Sequence, residues 1–152
     1  MKVVICQINS KFVHSSLAAW CIKAGIDTYS TLSPEVKVIE GTINEKSDTV
    51  IKRIADEVPD VIGFCCYIWN ISYLNAVAEK IKALFPCCKI VFGGPEVSYN
   101  PQQILGELKF VDFVISGEGE LPFARLIDAL PTENIPENLG ICYKNEGEIA
   151  IT

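Results

Sequence analysis

Histidine occurs once in this 152-residue chain, at position 14, and methionine once, at position 1. A lone His14 excludes a catalytic set built on several imidazoles of one chain. Basic clusters are missing as well. Lys and Arg total 13 against 19 Asp and Glu, for a formal charge of −6 and a pI near 4.8. That balance argues against a surface that tracks nucleic-acid phosphates. Apolar runs are strand-length, so no membrane span is expected. The start, Met1 to Cys6, is broken by Gln7 and Asn9 too early for a signal peptide. No Cys-x-x-Cys spacing occurs among Cys6, Cys21, Cys65, Cys66, Cys87, Cys88 and Cys142, which removes a zinc site and a thioredoxin-type motif. An odd count without framework spacing points to a reducing, cytoplasmic setting. Neighbours such as Cys65 and Cys66 face opposite sides of a strand. Most of the cysteines read as small buried hydrophobes.

What is present is a regular alternation. Hydrophobic residues make up 49% and charged residues 21%, the balance of a globular chain, and the length fits a single domain over 1–152. Val3–Ile8 reads as a first strand, followed by a helix with Leu17, Cys21 and Ala24 on one face. Val36–Ile39 is a second strand. Ile51, Ile54, Ala55 and Val58 have helical spacing, and Pro59-Asp60 ends that helix. Val61–Cys66 is a third strand. Leu74, Val77, Ala78, Ile81 and Leu84 form an amphipathic stripe, ended by Pro86. Lys89–Phe92 is a fourth strand and Phe113–Ile115 a fifth. Helices between and after them carry Ile104, Leu105 and Leu108, then Phe123, Leu126, Ile127 and Leu130. Gly140–Ile151 reads as two strands around an Asn145-Glu146-Gly147 turn. Strands apolar throughout imply a parallel sheet covered on both faces. The expected product is a doubly wound α/β sandwich of the flavodoxin-like or Rossmann-like kind. Its strand order is 2-1-3-4-5, with a C-terminal hairpin extending the strand-five edge.

In such a sheet ligands bind outside the carboxyl ends of the strands. That edge holds Asn9 to Ser16, Gly41-Thr42, Tyr67 to Asn70, Gly93-Gly94-Pro95-Glu96 and Gly117-Glu118-Gly119-Glu120. Two apolar strands that stop at glycine turns mark backbone lying flat against something large. An exposed Tyr67 and Trp69 would be costly unless covered; equally, Trp69 can fold beneath the third helix. The Gly-x-Gly-x-x-Gly phosphate fingerprint is absent after strand one. A phospho-receiver needs acids at strand one and an Asp ending strand three, where this chain has Asn9 and Cys66. Glu118 and Glu120 suit a helix N-terminus as well as they suit a site. No catalytic residue and no metal ligand is assigned.

The segments Asn9-Ser10-Lys11-Phe12-Val13-His14-Ser15-Ser16-Leu17, Asp60 to Cys65, Gly93 to Glu96 and Gly117 to Phe123 carry a resemblance. They are similar to the N-terminal cobalamin (B12)-binding domain of class B radical S-adenosylmethionine proteins, the group that includes the magnesium-protoporphyrin monomethyl ester oxidative cyclase relatives. The resemblance covers nearly the whole chain. It implies cobalamin across the carboxyl edge, its dimethylbenzimidazole tail inserted between sheet and helices. Gly93, Gly94, Gly117 and Gly119 would let backbone approach the tail and nucleotide loop, with Pro95, Glu96 and Glu118 beside them. Tyr67 and Trp69 would pack on tail or corrin, and Asn9, Ser10 and Ser15 would bond corrin amides.

The chain departs from that pattern in places. The Asp-x-His-x-x-Gly of mutases is missing after strand one, so His14 is not assigned to cobalt, and base-off, His-off binding is implied. Cys66-Tyr67-Ile68 stands where Ser-x-Leu follows strand three. The Cys-x-x-x-Cys-x-x-Cys of a radical S-adenosylmethionine barrel is also missing. A [4Fe-4S] cluster and S-adenosylmethionine would therefore belong to a downstream domain, in cis or in trans, of a methyltransferase or oxidative cyclase. This chain alone is not expected to catalyse. The alternative is a degenerate structural or interaction domain that keeps the sheet without a cofactor.

Overall fold

Apolar strands shielded on both faces give seven strands in one sheet, ordered β2-β1-β3-β4-β5-β6-β7. The computed structural model describes residues 1–11, 16–145 and 147–152. The strands are β1 (Lys2–Asn9), β2 (Glu35–Thr42), β3 (Val61–Cys65), β4 (Lys89–Gly93), β5 (Phe113–Ile115), β6 (Ile141–Asn145) and β7 (Glu148–Ile151). The helices are α1 (Ala18–Tyr29), α2 (Ser47–Glu57), α3 (Ile71–Leu84), α4 (Pro95–Ser98), α5 (Pro101–Glu107) and α6 (Glu120–Ala129). β1 to β5 run parallel; β6 and β7 add antiparallel pairs. The expected order 2-1-3-4-5 with a terminal hairpin is what forms, although Glu146 at the hairpin turn lies outside the described residues.

Local chemistry accounts for the elements. Leu74, Val77, Ala78 and Ile81 bury one face of α3 at spacings of three and four. Val58 caps α2 in the left-handed region at φ 50°, directly before Pro59, which cannot continue the helix. β2 runs past the expected Ile39 to Thr42, because backbone pairing with β1 continues through the polar Glu40-Gly41 to Asn9–Thr42. It is an edge strand whose Glu35 and Lys37 face water, so the apolar run understates its length. The four-residue α4 is a departure: Gly93 to Glu96 reads as loop, yet Pro95 starts a short turn of helix, as a fixed φ at the first helical position allows.

Two cores result. One face, covered by α2, α3 and α5, buries Cys6, Ile8, Phe64, Phe92, Leu74 and Ile81. The other, covered by α1 and α6, buries Ile5, Cys65, Val91, Ile115 and Phe123. Cys65 and Cys66 fall on opposite faces, as strand alternation requires.

Candidate functional site

At the carboxyl edge the α1/α6 face does not close. A cleft of about 260 Å³ opens between the ends of β1, β3, β4 and β5 below and the first turns of α1 and α6 above. Ile5, Val91, Ile115 and Phe123 make its apolar wall, and Ala18 and Ile22 its α1 side. The residues expected at the edge that do line it are Tyr67, Gly93, Gly94, Pro95, Gly117, Glu118, Gly119 and Glu120. No Lys, Arg or His is among the described lining; its only charged residues are Glu118 and Glu120. Among the described residues no group of His, Cys, Asp and Glu could hold a metal ion.

The four edge glycines separate into two kinds. A Cβ on Gly93 would meet nothing closer than the Ile115 carbonyl at 3.8 Å, and one on Gly117 would meet nothing within 4 Å. These two face free space. Gly94 sits at φ +112°, and a Cβ there would lie 2.5 Å from the Cys66 carbonyl. Gly119 would bring a Cβ to 2.6 Å from Ile22 Cδ1. Gly94 therefore meets a need of the protein's own backbone, Gly119 meets only a movable side-chain tip, and Gly117, at φ +86°, suits its turn as glycine while facing free space; all four read alike in the sequence. Their loops are tied together by Ser98. Its Oγ donates to the Gly94 carbonyl at 2.8 Å and accepts from the Gly117 N–H at 3.4 Å. Ser116 Oγ donates to the Ser98 carbonyl at 3.2 Å.

After β3, Tyr67 and Trp69 stack with ring centroids 4.5 Å apart and planes 6° from parallel. Tyr67 faces the cleft, with Trp69 behind it, 44% exposed and not folded under α3. Asn70 holds this loop. Fully buried, it accepts from the Tyr67 N–H at 2.8 Å and donates to the Ile8 carbonyl at 2.9 Å and the Cys65 carbonyl at 3.0 Å. Trp69 Nε1 donates to the same Ile8 carbonyl at 3.4 Å. Asn9 is buried at the end of β1, where its Oδ1 accepts from Gln7 Nε2; Ser10 is half-buried. Glu96 is exposed on α4 and does not line the cleft. Ser15 and His14 lie outside the described residues.

Gly63, Cys65, Ser98, Asn70 and Phe123 were missed as site residues by sequence reasoning. Gly63 did leave a signal: an isolated glycine inside an apolar strand marks close approach. A Cβ there would come within 2.7 Å of the Phe123 ring. Burial pushes the Cys65 thiol up to about 12, so the cleft wall stays uncharged at that point.

The family model of the B12 binding domain matches residues 3–127. The chain belongs to the B12-binding domain family. It is 31% identical over 117 residues to an uncharacterized methyltransferase of Pyrococcus horikoshii, covering 76% of this chain and 26% of the relative. It is 34% identical over 79 residues to the cobalamin-dependent radical SAM methyltransferase TokK of Streptomyces tokunonensis, covering 51% and 12%. The match thus spans about a quarter or less of the length of these curated relatives. Among solved structures, the receiver domain of RcsB from Salmonella enterica serovar Typhimurium superposes with a TM-score of 0.58 at 17% identity, covering 90% of this chain and 94% of that one. A cobalamin-binding protein from Desulfitobacterium hafniense gives a TM-score of 0.50 at 15% identity, covering 69% and 49%. Both likenesses speak to the B12-binding domain's fold alone. No helix among the described residues is long and apolar enough to cross a membrane.

Proposed function

We propose that this B12-binding domain holds cobalamin base-off and His-off, for a radical S-adenosylmethionine domain joined in cis or met in trans. The observation that carries the reading is the apolar cleft beneath α1 and α6, at the edge where Gly93 and Gly117 present bare backbone. Its chemistry fits a flat, uncharged heteroaromatic tail: aliphatic and aromatic walls, a neutral thiol and, among the described lining, no cation, with Glu118 and Glu120 the charged residues. Its size fits a part of the ligand only. About 260 Å³ falls below the roughly 300–1,000 Å³ that encloses a drug-sized molecule. The macrocycle would therefore rest outside, on Tyr67, Gly93 and Gly117, with Asn9, Ser10 and Ser15 toward its amides.

Cobalamin, when bound, supplies a cobalt centre for methyl or electron transfer. The residues of this chain bind and orient it and keep water from its tail. The missing Asp-x-His-x-x-Gly pattern around His14, with no acidic partner to orient the imidazole, supports the His-off reading. The methyltransferase names of the relatives favour methyl transfer over oxidative cyclisation for the whole protein. The [4Fe-4S] cluster and S-adenosylmethionine would sit in the partner domain.

The test is direct. The purified domain is mixed with hydroxocobalamin and desalted, and its visible spectrum is recorded. Retained corrin absorbance, with a spectrum unshifted by His14→Ala, is the expected result. Loss of the corrin, with no stabilisation on heating, leaves the cofactor-free interaction domain instead.

A further inference from the structure

Gln7 is completely buried in β1, yet its side-chain Oε1 has no hydrogen-bond partner among the described residues. Buried polar groups are almost always satisfied, and an exception calls for a reason. Its Nε2 is engaged, donating to Asn9 Oδ1 at 3.4 Å. That bond assigns Nε2 to the Asn9 side and leaves the acceptor Oε1 as the orphan. Two other described side-chain atoms share this condition, Arg53 Nε and Asn75 Oδ1. Arg53 is otherwise anchored, through Nη1 on the Glu40 carbonyl and Nη2 on Glu45.

The position of Gln7 is what separates it from these. Along β1, Val4, Cys6 and Ile8 belong to the core under α2 and α3, while Val3 and Ile5 belong to the core under α1 and α6. Alternation puts Gln7 on the second face, two residues beyond Ile5. In the neighbouring strand, Cys65 stands one step past the Cys6–Phe64 pair and is therefore level with Gln7. Ile5 and Cys65 both line the cleft. Gln7 itself does not line the cleft; its orphaned acceptor lies behind the wall that Ile5 and Cys65 form, on the face where the tail and corrin edge would sit.

We propose that Gln7, braced by Asn9, accepts a hydrogen bond from one peripheral carboxamide N–H of the corrinoid, and that the domain thereby selects amidated corrinoids over their carboxylate forms. This rests on the cobalamin reading and deepens it. A carbonyl oxygen repels a carboxylate and welcomes an amide N–H. No cation among the described lining offers a carboxylate compensation, and Glu118 and Glu120 add to its cost. Sites that hydrogen-bond a ligand group discriminate strongly against analogues lacking it, because their own polar atoms are left unpaired. Gln7 stands just behind the wall, so binding has to part the wall there. The orphaned oxygen makes the closed form the costlier one.

Equilibrium dialysis tests the proposal with hydroxocobalamin and with cobalamin monocarboxylates, each carrying one hydrolysed side-chain amide. The wild-type domain should bind hydroxocobalamin about tenfold or more tightly than at least one of the monocarboxylates. Gln7→Leu should bind hydroxocobalamin about tenfold more weakly, lose that preference, and melt no lower than wild type without ligand. If wild type binds hydroxocobalamin but treats every monocarboxylate alike, or if Gln7→Leu binds as well as wild type, the role of Gln7 is overturned and the cobalamin reading stands. If wild type binds no corrinoid, both fail together. Should Gln7→Leu not fold, the monocarboxylate series on wild type decides alone.

Discussion

The two faces of the sheet are built by the same strands and finish differently. Under α2 and α3, Phe64 and Phe92 meet edge to face, with centroids 5.6 Å apart, and the surface is filled. Under α1 and α6 the same two strands contribute Gly63, Cys65, Val91 and Gly93, and a cleft remains. Toward the carboxyl ends of β3 and β4, Phe64 and Phe92 point one way while Gly63, Cys65 and Gly93 lie on the other side. Stability and ligand space are thus separated by strand alternation, on opposite sides of one backbone. Substitutions that respect this division should affect one property and spare the other.

Phe64→Ala, on the filled face, should cost the most, about 3–5 kcal/mol, as measured by urea unfolding followed by circular dichroism. Its counterpart on the open face is Gly93→Val, with a stability change within about 1 kcal/mol. That variant should nevertheless lose corrin retention after desalting. A Gly93→Val domain that retains hydroxocobalamin like wild type would remove the contrast between the faces. Gly94→Val is different again, because its side chain meets the Cys66 backbone, so it should fail by misfolding.

Asn70 ties the loop after β3 to the ends of β1 and β3, and Asn70→Ala should destabilise by about 2–3 kcal/mol by stranding buried backbone groups of Ile8, Cys65 and Tyr67. Asp128 provides a milder test away from the cleft. Burial pushes its carboxyl up, but hydrogen bonds from Ser30, Thr31 and Leu32 outweigh this and hold it below the usual carboxylate range. A lowered folded value adds stability that is complete above the ordinary carboxylate pKa of about 4 and is lost as pH falls through the folded value. Asp128→Asn should remove about 1–2 kcal/mol at pH 7 and flatten that acid limb in urea titrations. The smallest effect concerns thiols. Cys21 and Cys87 are exposed and should react with a thiol reagent at pH 8, while the other five wait for unfolding. Burial raises Cys65 to about 12 and Cys88 to about 11, which slows them further.

Apolar strands punctuated by Gly and Pro made the layer order and the ligand edge legible in the sequence, because both depend on short-range pattern. Side-chain size within an apolar run was not read in the same way. Val61 to Cys66 looked uniformly buried, so the cleft hidden in its large–small alternation went unseen. Gly94 and Gly119 resembled Gly93 and Gly117 because a glycine carries no mark of what it touches. Cys66, whose backbone makes Gly94 obligatory, and Ile22, whose side-chain tip crowds Gly119, are distant in sequence. Asn70 was placed at the edge but given no role, and Ser98 escaped notice, since their importance lies in backbone groups of neighbouring strands and loops.

The Tyr67–Trp69 stack has a spectroscopic consequence. The chain holds two tryptophans, and only Trp69 sits behind a ring that walls the cleft; Trp20 lies half-exposed on α1. A coloured macrocycle laid on Tyr67 would draw excitation energy from the indole next to it. With Trp20→Phe the remaining emission would come from one lamp at the mouth of the cleft, and its dimming would count occupied molecules without any label.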